Sequence, residues 1–363
     1  MKPYLNILER IKDTGTIKPS RAGDTKFVLG DYFRWNMTQG FPLLTLKKTS
    51  FHNIAHELLW FLGAFDEEWQ KFGNTNIRYL VNHNVNIWNA DAYRAYVTEM
   101  QRGKHGAHLS KEDFVKEIKN NDEFALEFGD LGDTYGAQWR RWGQKGNEYS
   151  GKNYVHGIDQ IEKVINNLKS NPLSRRHLVT AWNPSVVDDL VLAPCHYGFT
   201  LNATPLSEEE RMKLYRTGKY SNHGVKLIGG TPSHEWIDDY SYTPKYKLSL
   251  IWNQRSVDVP LGLPYNIASY ALLLTIISHF TNMVPDKLIG SLEDTHYYLN
   301  QEDGVDEMIS RRDKYPRLPS FELVNMEGVE TIDDIRIDNF KVIDYNSMDR
   351  INIKLSVGLD EEE

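Results

Sequence analysis

Cysteine is almost absent from this chain, since Cys195 is the only one among 363 residues. A lone cysteine cannot form an internal disulfide, and it is compatible with a reducing compartment without proving one. In general such a residue is more often a small buried hydrophobe than a reactive thiol. The composition therefore excludes a disulfide-built fold and leaves both roles open for Cys195.

Long apolar runs are also missing. The longest, from Tyr270 to Ile277, is interrupted by Thr275 and is well short of the about 20 residues that span a bilayer. Residues 1–6 lack the apolar core of a secretory signal. We therefore expect a cytoplasmic protein with no membrane partner.

Positive charge is not in excess, because the formal net charge is −8. This balance argues against nucleic acid as the main partner, although clustered arginines can still hold one phosphate. The twelve histidines do not cluster with carboxylates at a metal-ligand spacing, and no phosphate-binding glycine loop is present. A metal-free site is the default expectation. Aromatic residues at 12% favour a packed globular chain.

The neighbours of Cys195 indicate a functional thiol. Pro194 interrupts regular structure just before it, and His196 follows it directly. Adjacent side chains of a strand point to opposite faces, so His196 is a poor candidate for the base of a Cys-His pair. A cation from elsewhere must lower the pKa of Cys195, and the candidates are the doublet at 175–176 and Arg255.

Apolar periodicity predicts the main elements. The expected helices cover residues 4–13, 54–62, 157–169 and 266–280. The expected strands cover residues 27–29, 175–182 and 247–252, the last running into Arg255. A polar loop at residues 18–24 leaves Arg21 available to a ligand.

Two polar side chains stand out in this pattern. Glu57 lies inside an apolar helical run, where it either faces water or is a pocket carboxylate with a perturbed pKa. The glycines of residues 129–136 allow a tight turn that presents Tyr135.

Charged stretches at about 91–127 and 205–245 are predicted to be peripheral insertions. The second contains a capping-box pattern from Ser207 to Glu210 and no evident chemistry. The acidic residues 360–363 are expected to be a solvated tail.

Together these segments resemble the thymidylate synthase family over nearly the whole chain. The ordered motifs that carry the resemblance are His56-Glu57-Leu58-Leu59-Trp60-Phe61-Leu62, Gly129-Asp130-Leu131-Gly132 with Tyr135-Gly136, Ser174-Arg175-Arg176, Ala193-Pro194-Cys195-His196, Gln254-Arg255-Ser256, Leu261-Gly262-Leu263-Pro264-Tyr265-Asn266-Ile267-Ala268-Ser269-Tyr270 and Asp294-Thr295-His296-Tyr297-Tyr298.

The resemblance implies a single α+β catalytic domain over residues 1–363, built on a bent mixed β-sheet with surrounding helices. It implies a homodimer packed through that sheet. It also implies transfer of one carbon from 5,10-methylenetetrahydrofolate, a co-substrate, to C5 of dUMP.

By the same resemblance, Cys195 is the nucleophile that adds to C6 of the pyrimidine, and Arg255 lowers its pKa and contacts phosphate. Glu57 corresponds to the carboxylate that relays protons in the family. Tyr135 corresponds to a hydroxyl that lies near the C5 proton, and His196 corresponds to a residue that supports the water network beside the base.

The remaining contacts are implied in the same way. The positions that contact the nucleotide phosphate correspond to Arg21 and Ser256 of one subunit and to Arg175 and Arg176 of its partner. Asn266 matches the amide that reads the base, while His296 and Tyr298 match contacts to the sugar 3′-hydroxyl. The folate-contacting positions correspond to Trp88, Asp258 and Gly262, and Asp258 is also expected to be catalytic. Lys47 corresponds to a basic contact for the folate tail.

The departures from the family pattern are concentrated on the folate side. They are Asp91 in place of a second tryptophan, Thr200 in place of a glutamine, Pro260 in place of an aromatic residue, an unusual loop after Arg21, and four acidic residues after Leu359. Such changes are expected to loosen or rewet the region where the one-carbon unit reacts.

We therefore expect water to add to the methylene, which gives 5-hydroxymethyl-dUMP. The alternative is hydride transfer from folate, which gives dTMP and dihydrofolate. A third possibility, a non-catalytic nucleotide-binding relative, is disfavoured by the joint presence of Cys195, Arg255, Glu57 and Tyr135.

Overall fold

A six-stranded mixed sheet organises the fold in the computed structural model, which describes residues 1–102, 108–144, 156–217 and 242–356. The strands are β1 (Thr16–Lys18), β2 (Thr25–Asn36), β3 (Leu178–Thr180), β4 (His196–Pro205), β5 (Tyr246–Asp258) and β6 (Val284–Tyr298). Their spatial order is β1-β2-β6-β5-β4-β3. All neighbours are antiparallel except β5 and β6, which are parallel. The register shifts between His196 and Gly198, directly after the cysteine.

Helices surround this sheet. In chain order they are α1 (Lys2–Thr14), α2 (Phe51–Leu62), α3 (Glu67–Gln70), α4 (Arg78–Asn82), α5 (Asn89–Arg102), α6 (Lys111–Asn120), α7 (Asp122–Phe128), α8 (Tyr135–Arg141), α9 (Gln160–Ser170), α10 (Glu208–Thr217), α11 (Gly262–Phe280) and α12 (Glu302–Ser310). A separate antiparallel pair follows, β7 (Ser320–Leu323) with β8 (Phe340–Ile343). The prediction of an α+β fold with a mixed sheet and surrounding helices is confirmed.

Helix α11 is the crossover between the parallel strands β5 and β6, a connection that parallel pairing requires. It is long and apolar enough to cross a membrane, but 72% of its most apolar 18-residue stretch is buried inside the fold. Leu263, Ile267 and Leu274 are fully buried, and each such side chain contributes roughly 1.5–3 kcal/mol. The apolar composition of α11 therefore reflects a core position.

Helix α2 carries Glu57 and has well-defined ends. The Ser50 hydroxyl accepts the Asn53 N–H at 3.2 Å, an N-terminal cap, and Gly63 ends the helix with φ of 67°. Because Ile54, Leu58 and most other α2 side chains are buried in the core, the direction in which Glu57 points is fixed.

The predicted helices are all present. α1 is longer than predicted at both ends, α2 and α11 begin three and four residues earlier than predicted, and α9 begins three residues later. The strand predicted at 175–182 is wrong in extent, because only Leu178–Thr180 pairs. The Ser174 N–H donates to the Asn171 carbonyl at 3.1 Å, so the chain is still in a turn when it reaches the arginine doublet. The strands predicted at 27–29 and 247–252 are longer than expected.

The first charged stretch, 91–127, forms most of α5 together with α6 and α7. Its Tyr96, Phe114 and Ile118 are buried in the hydrophobic core of the fold. In the second stretch the capping box is confirmed, since the Ser207 hydroxyl accepts the Glu210 N–H at 3.1 Å and Glu210 accepts the Ser207 N–H at 2.8 Å. The acidic tail 360–363 lies outside the described residues.

Candidate active site around Cys195

Cys195 lies at the start of β4, held by two neighbouring elements. Its backbone N–H donates to the Tyr135 hydroxyl on α8 at 2.7 Å. Its carbonyl accepts the backbone N–H of Arg255 on β5 at 2.9 Å. The turn imposed by Pro194 and the bulge after His196 thus place the thiol between α8 and β5.

The guanidinium of Arg255 holds the same loop. Its Nε donates to the Pro194 carbonyl at 2.9 Å and its Nη2 to the Ala193 carbonyl at 2.8 Å. Its charge lowers the pKa of Cys195, as expected. Burial has the larger effect, so the pKa of the Cys195 thiol is raised above its ordinary value.

Glu57 reaches the site from α2. Its Oε1 accepts a hydrogen bond from the Trp88 indole N–H at 2.8 Å. Burial raises the pKa of Glu57 to about 7, against the opposing effect of the Trp88 hydrogen bond. Of the two interpretations from sequence, the pocket carboxylate is the one that the structure bears out.

Aromatic rings line the wall between these groups. The Tyr135 ring lies 4.4 Å from the His196 ring and stacks on Phe61 at 4.9 Å, and Trp88 meets it edge-on at 5.8 Å. His196 Nδ1 pairs with the Tyr270 hydroxyl at 2.9 Å. Because burial lowers the pKa of His196 to about 3, this histidine is neutral and cannot act as a cation toward Cys195.

Asn266 is oriented by a residue to which the sequence assigned no role. Gln254 Nε2 donates to Asn266 Oδ1 at 3.0 Å, and Gln254 Oε1 in turn accepts the Trp252 indole N–H at 3.0 Å. These two hydrogen bonds engage the Oδ1 end of the Asn266 amide. The NH₂ group of Asn266 is therefore left to donate to another partner.

The folate-side candidates surround the turn between β5 and α11. Asp258 Oδ1 accepts the Leu261 N–H at 2.9 Å and Oδ2 accepts Gln301 Nε2 at 3.0 Å. Burial raises the pKa of Asp258. Gly262 begins α11 next to this carboxylate, since a Cβ there would lie 3.9 Å from the Asp258 Cβ.

Lys47 differs from its expected setting. Its ammonium is buried and donates to the Pro260 carbonyl at 2.8 Å, and burial lowers its pKa to about 8. Lys47 therefore supports the turn that carries Asp258, instead of presenting a free charge at the surface.

A further group of polar residues lies on β6. His296 Nδ1 is 2.9 Å from Asp294 Oδ1, and Lys18 of β1 pairs with the other oxygen of Asp294. The Tyr298 ring meets the His296 ring at 5.4 Å, and its hydroxyl interacts with Ser20 of the loop that carries Arg21. The charge of Arg21 also acts on Tyr298, and Ser256 of β5 pairs with Asp294 in the sheet.

Arg175 and Arg176 are not part of this constellation. Both are exposed, and Arg176 lines a separate cavity of about 380 Å³ between α9 and β3, together with Trp142 and Lys163. The charge of Arg255 lowers the pKa of the Cys195 thiol and that of Asp91 raises it, while burial has the largest effect.

The structure adds three positioning residues, Gln254, Tyr270 and Asp294. All three lie inside the motifs that carried the family resemblance, yet nothing local indicates their partners. Asp91 was noted only as a departure from the pattern. Over the described ranges, no three His, Cys, Asp or Glu side chains form a group that could hold a metal ion.

Known proteins match this sequence over nearly its whole length. The family model described as thymidylate synthase matches residues 2–357. A thymidylate synthase of Malacoplasma penetrans is 33% identical over 358 residues, 98% of this chain and 100% of the relative. One of Aster yellows witches'-broom phytoplasma is 35% identical over 346 residues, 95% of this chain and 96% of the relative.

These matches define an enzyme that transfers a one-carbon group. The chain belongs to the thymidylate synthase family. Members of this family bind dUMP and folate and use methylenetetrahydrofolate as co-substrate.

Proposed function

We propose that this protein is a thymidylate synthase that converts dUMP and 5,10-methylenetetrahydrofolate to dTMP and dihydrofolate. The observation that carries the proposal is the grouping of Cys195, Tyr135, Glu57 and Trp88 into one contiguous site. Relatives that match this chain over nearly its full length and bear that name support the same product.

In this proposal the Cys195 sulfur adds to C6 of the pyrimidine. The Arg255 guanidinium, already bonded to the loop before Cys195, stabilises the thiolate once it forms. Tyr135, whose hydroxyl touches the Cys195 backbone, lies near the C5 proton, and Glu57 relays protons at a pKa of about 7. The neutral His196 orders water beside the base.

The nucleotide contacts follow from the same arrangement. The phosphate is held by Arg21, Arg255 and Ser256. The free NH₂ of Asn266 donates to O4 of uracil, because its Oδ1 is already occupied by Gln254. His296, fixed by Asp294, and Tyr298 bind the sugar 3′-hydroxyl.

The folate contacts lie on the opposite side of the pyrimidine. Asp258, held by two hydrogen bonds, accepts N–H groups of the pterin, and Trp88 and Gly262 pack against it. Lys47 contributes indirectly, because it holds the turn of residues 258–261 that carries Asp258. A role of Lys47 in binding the folate tail is weakened by its burial.

A homodimer packed through the sheet completes the proposed site. Large apolar side chains are exposed on the sheet strands, among them Leu29 of β2 at 81% and Leu178 of β3 at 58%. Arg175 and Arg176 lie away from the Cys195 of their own chain, which is the arrangement expected if they serve the partner's phosphate site. We also expect the enzyme to be cytoplasmic.

Hydroxymethylation to 5-hydroxymethyl-dUMP is the second candidate. One observation favours it, namely a half-buried carboxylate, Asp91, at a position where the family pattern has an aromatic side chain. Against it, Trp88 keeps its place beside Glu57 and shields that side of the site.

Product analysis tests both candidates. The purified enzyme is incubated with dUMP and methylenetetrahydrofolate, and the nucleotides are identified by mass spectrometry while dihydrofolate is followed by absorbance. Stoichiometric dTMP and dihydrofolate support the proposal, whereas 5-hydroxymethyl-dUMP with tetrahydrofolate would replace it. If 5-fluoro-dUMP with methylenetetrahydrofolate leaves no covalent adduct on the denatured chain, the protein is a non-catalytic binder.

A further inference from the structure

A single buried amide joins three segments of the chain beside the folate-side carboxylate. Gln301 is 1% exposed and ends the short 3₁₀ turn Leu299–Gln301 that follows β6. Its Oε1 accepts the Tyr298 N–H at 3.0 Å. Its Nε2 donates to Asp258 Oδ2 at 3.0 Å and to the Lys354 carbonyl at 3.1 Å. Both N–H groups of this amide are therefore in use.

The orientation of Asp258 depends on this amide. The other carboxylate oxygen, Oδ1, accepts the Leu261 N–H at 2.9 Å. With one donor on each oxygen the plane of the carboxylate is fixed, and each oxygen keeps a lone pair for a ligand N–H. Burial raises the pKa of Asp258, and the hydrogen bond from Gln301 opposes this rise and favours the charged acceptor. His296 and Lys47 act in the same direction as Gln301.

The segment that leads to Lys354 packs on α12. Ile351 is buried, and Ile353 lies so close to this helix that a Cβ added at Gly304 would be 2.7 Å from the Ile353 Cγ1. The Lys354 carbonyl is therefore held in place where it accepts from Gln301. The amide thus connects residues 351–356 to the end of β5.

We propose that Gln301 is a positioning residue for folate, which holds the Asp258 carboxylate in the orientation that binds the pterin and connects it to residues 351–356. Without this donor the carboxylate can rotate, so that folate binding weakens while dUMP binding does not. Gln301 acts through Asp258. The inference rests on the proposed folate-dependent function, and it holds for either product because both reactions use the same co-substrate.

The test compares the KM of methylenetetrahydrofolate with the KM of dUMP in the variant Gln301→Glu. This change keeps an oxygen that accepts the Tyr298 N–H and removes the NH₂ group. An ionised carboxyl cannot donate to Asp258 and repels it. At pH 8.5 we expect the KM of methylenetetrahydrofolate to rise by about 10-fold or more, the effect of losing a hydrogen bond to a charged group. The KM of dUMP should change by less than about 3-fold.

The pH dependence separates positioning from a general loss of structure. The introduced carboxyl is buried beside Asp258, so it becomes protonated as the pH falls and regains a donor. The ratio of the variant's folate KM to that of the wild type should therefore fall toward one between pH 8.5 and pH 6. The ratio is used because Lys47, with a pKa of about 8, titrates in both proteins. Gln301→Met, which is apolar and of similar length, should show the increase at every pH.

Asn339→Asp is the matched control, because Asn339 is a buried amide with the same pattern of hydrogen bonds. Its Oδ1 accepts the Arg336 N–H at 2.7 Å, and its Nδ2 donates to the Val324 and Asn325 carbonyls at 3.1 and 3.0 Å. Thermal unfolding should show a loss of stability similar to that of Gln301→Glu. Both KM values should stay at the wild-type level.

An unchanged KM of methylenetetrahydrofolate in Gln301→Glu and Gln301→Met would overturn the proposal, and so would an equal rise in the KM of dUMP. If Gln301→Glu does not fold, the same two KM values in Gln301→Met decide. A wild-type product other than dTMP would refute the proposed function and leave this comparison intact. If the wild type does not turn over, calorimetric titration of methylenetetrahydrofolate onto the dUMP complex takes the place of the KM values.

Discussion

The Trp88 indole N–H donates a hydrogen bond of 2.8 Å to Oε1 of Glu57, and this contact joins the start of α5 to the middle of α2. It partly offsets the burial that raises the pKa of Glu57 to about 7. A carboxyl with a pKa near neutrality can give and take a proton at working pH.

Trp88→Phe removes this hydrogen bond and keeps an aromatic ring. Because the bond stabilises the charged form of Glu57, the pKa of Glu57 should rise by about one unit. The pH dependence of kcat reports the change as an upward shift of the midpoint assigned to Glu57. Trp69→Phe is the control, since Trp69 packs against Tyr79 and Phe72. Superimposable profiles for wild type and Trp88→Phe would contradict the assignment.

Glu57→Gln should lower kcat by about 10²- to 10⁴-fold, as expected for loss of a general acid–base group. It should also change stability. The folded-state pKa of about 7 lies above the ordinary 4.5, so the wild type binds more protons folded than unfolded between these values. Its stability therefore falls as pH rises through that window.

The glutamine cannot ionise, so Glu57→Gln should be more stable than the wild type above pH 7 by about 1–3 kcal/mol, with the difference vanishing below pH 4.5. Urea unfolding at pH 4.5, 6 and 8 measures this. Glu68→Gln, at an exposed position, is the control. A pH-independent difference would show that Glu57 is not perturbed in the folded state.

Cys195→Ala should abolish turnover, because loss of a covalent nucleophile removes several orders of magnitude of rate. Binding of dUMP, measured by calorimetry, should persist within a few-fold, since the phosphate and base contacts are on other residues. Retention of a tenth of wild-type turnover would rule out Cys195 as the nucleophile.

Asn266→Asp should weaken dUMP and improve dCMP. With one oxygen of residue 266 still accepting from Gln254, the other would face the base and accept a hydrogen bond from an exocyclic amine. The ratio of kcat/KM for the two nucleotides measures the change. Asn253→Asp, one residue before Gln254 on the same strand, is the control and should leave the ratio unaltered. If Asn266→Asp also leaves it unaltered, Asn266 does not read the base.

Arg175→Ala and Arg255→Ala subunits should be nearly inactive separately and should regain part of the activity when mixed. A mixed dimer assembles one intact site if Arg175 serves the partner. Activity is assayed on heterodimers isolated by two different affinity tags. Inactive heterodimers would mean that each site is built from one chain.

The sequence by itself determined the family, singled out Cys195 as the expected nucleophile and located four of the helices. Apolar periodicity is local information, so α2, α9 and α11 could be located from their own residues. The same holds for Cys195 and Arg255, which are recognised within short motifs. At β3 the alternating pattern predicted a longer strand than the one that forms. Strand length depends on a partner strand elsewhere in the chain, which the local pattern does not contain.

Only the tertiary structure decided how the site is tuned. Gln254 orients Asn266, and Lys47 turns inward to Pro260. The pKa of Cys195 is raised although Arg255 is adjacent, because burial outweighs one cation. Burial and charge are sums over segments distant in sequence, so no local motif contains them.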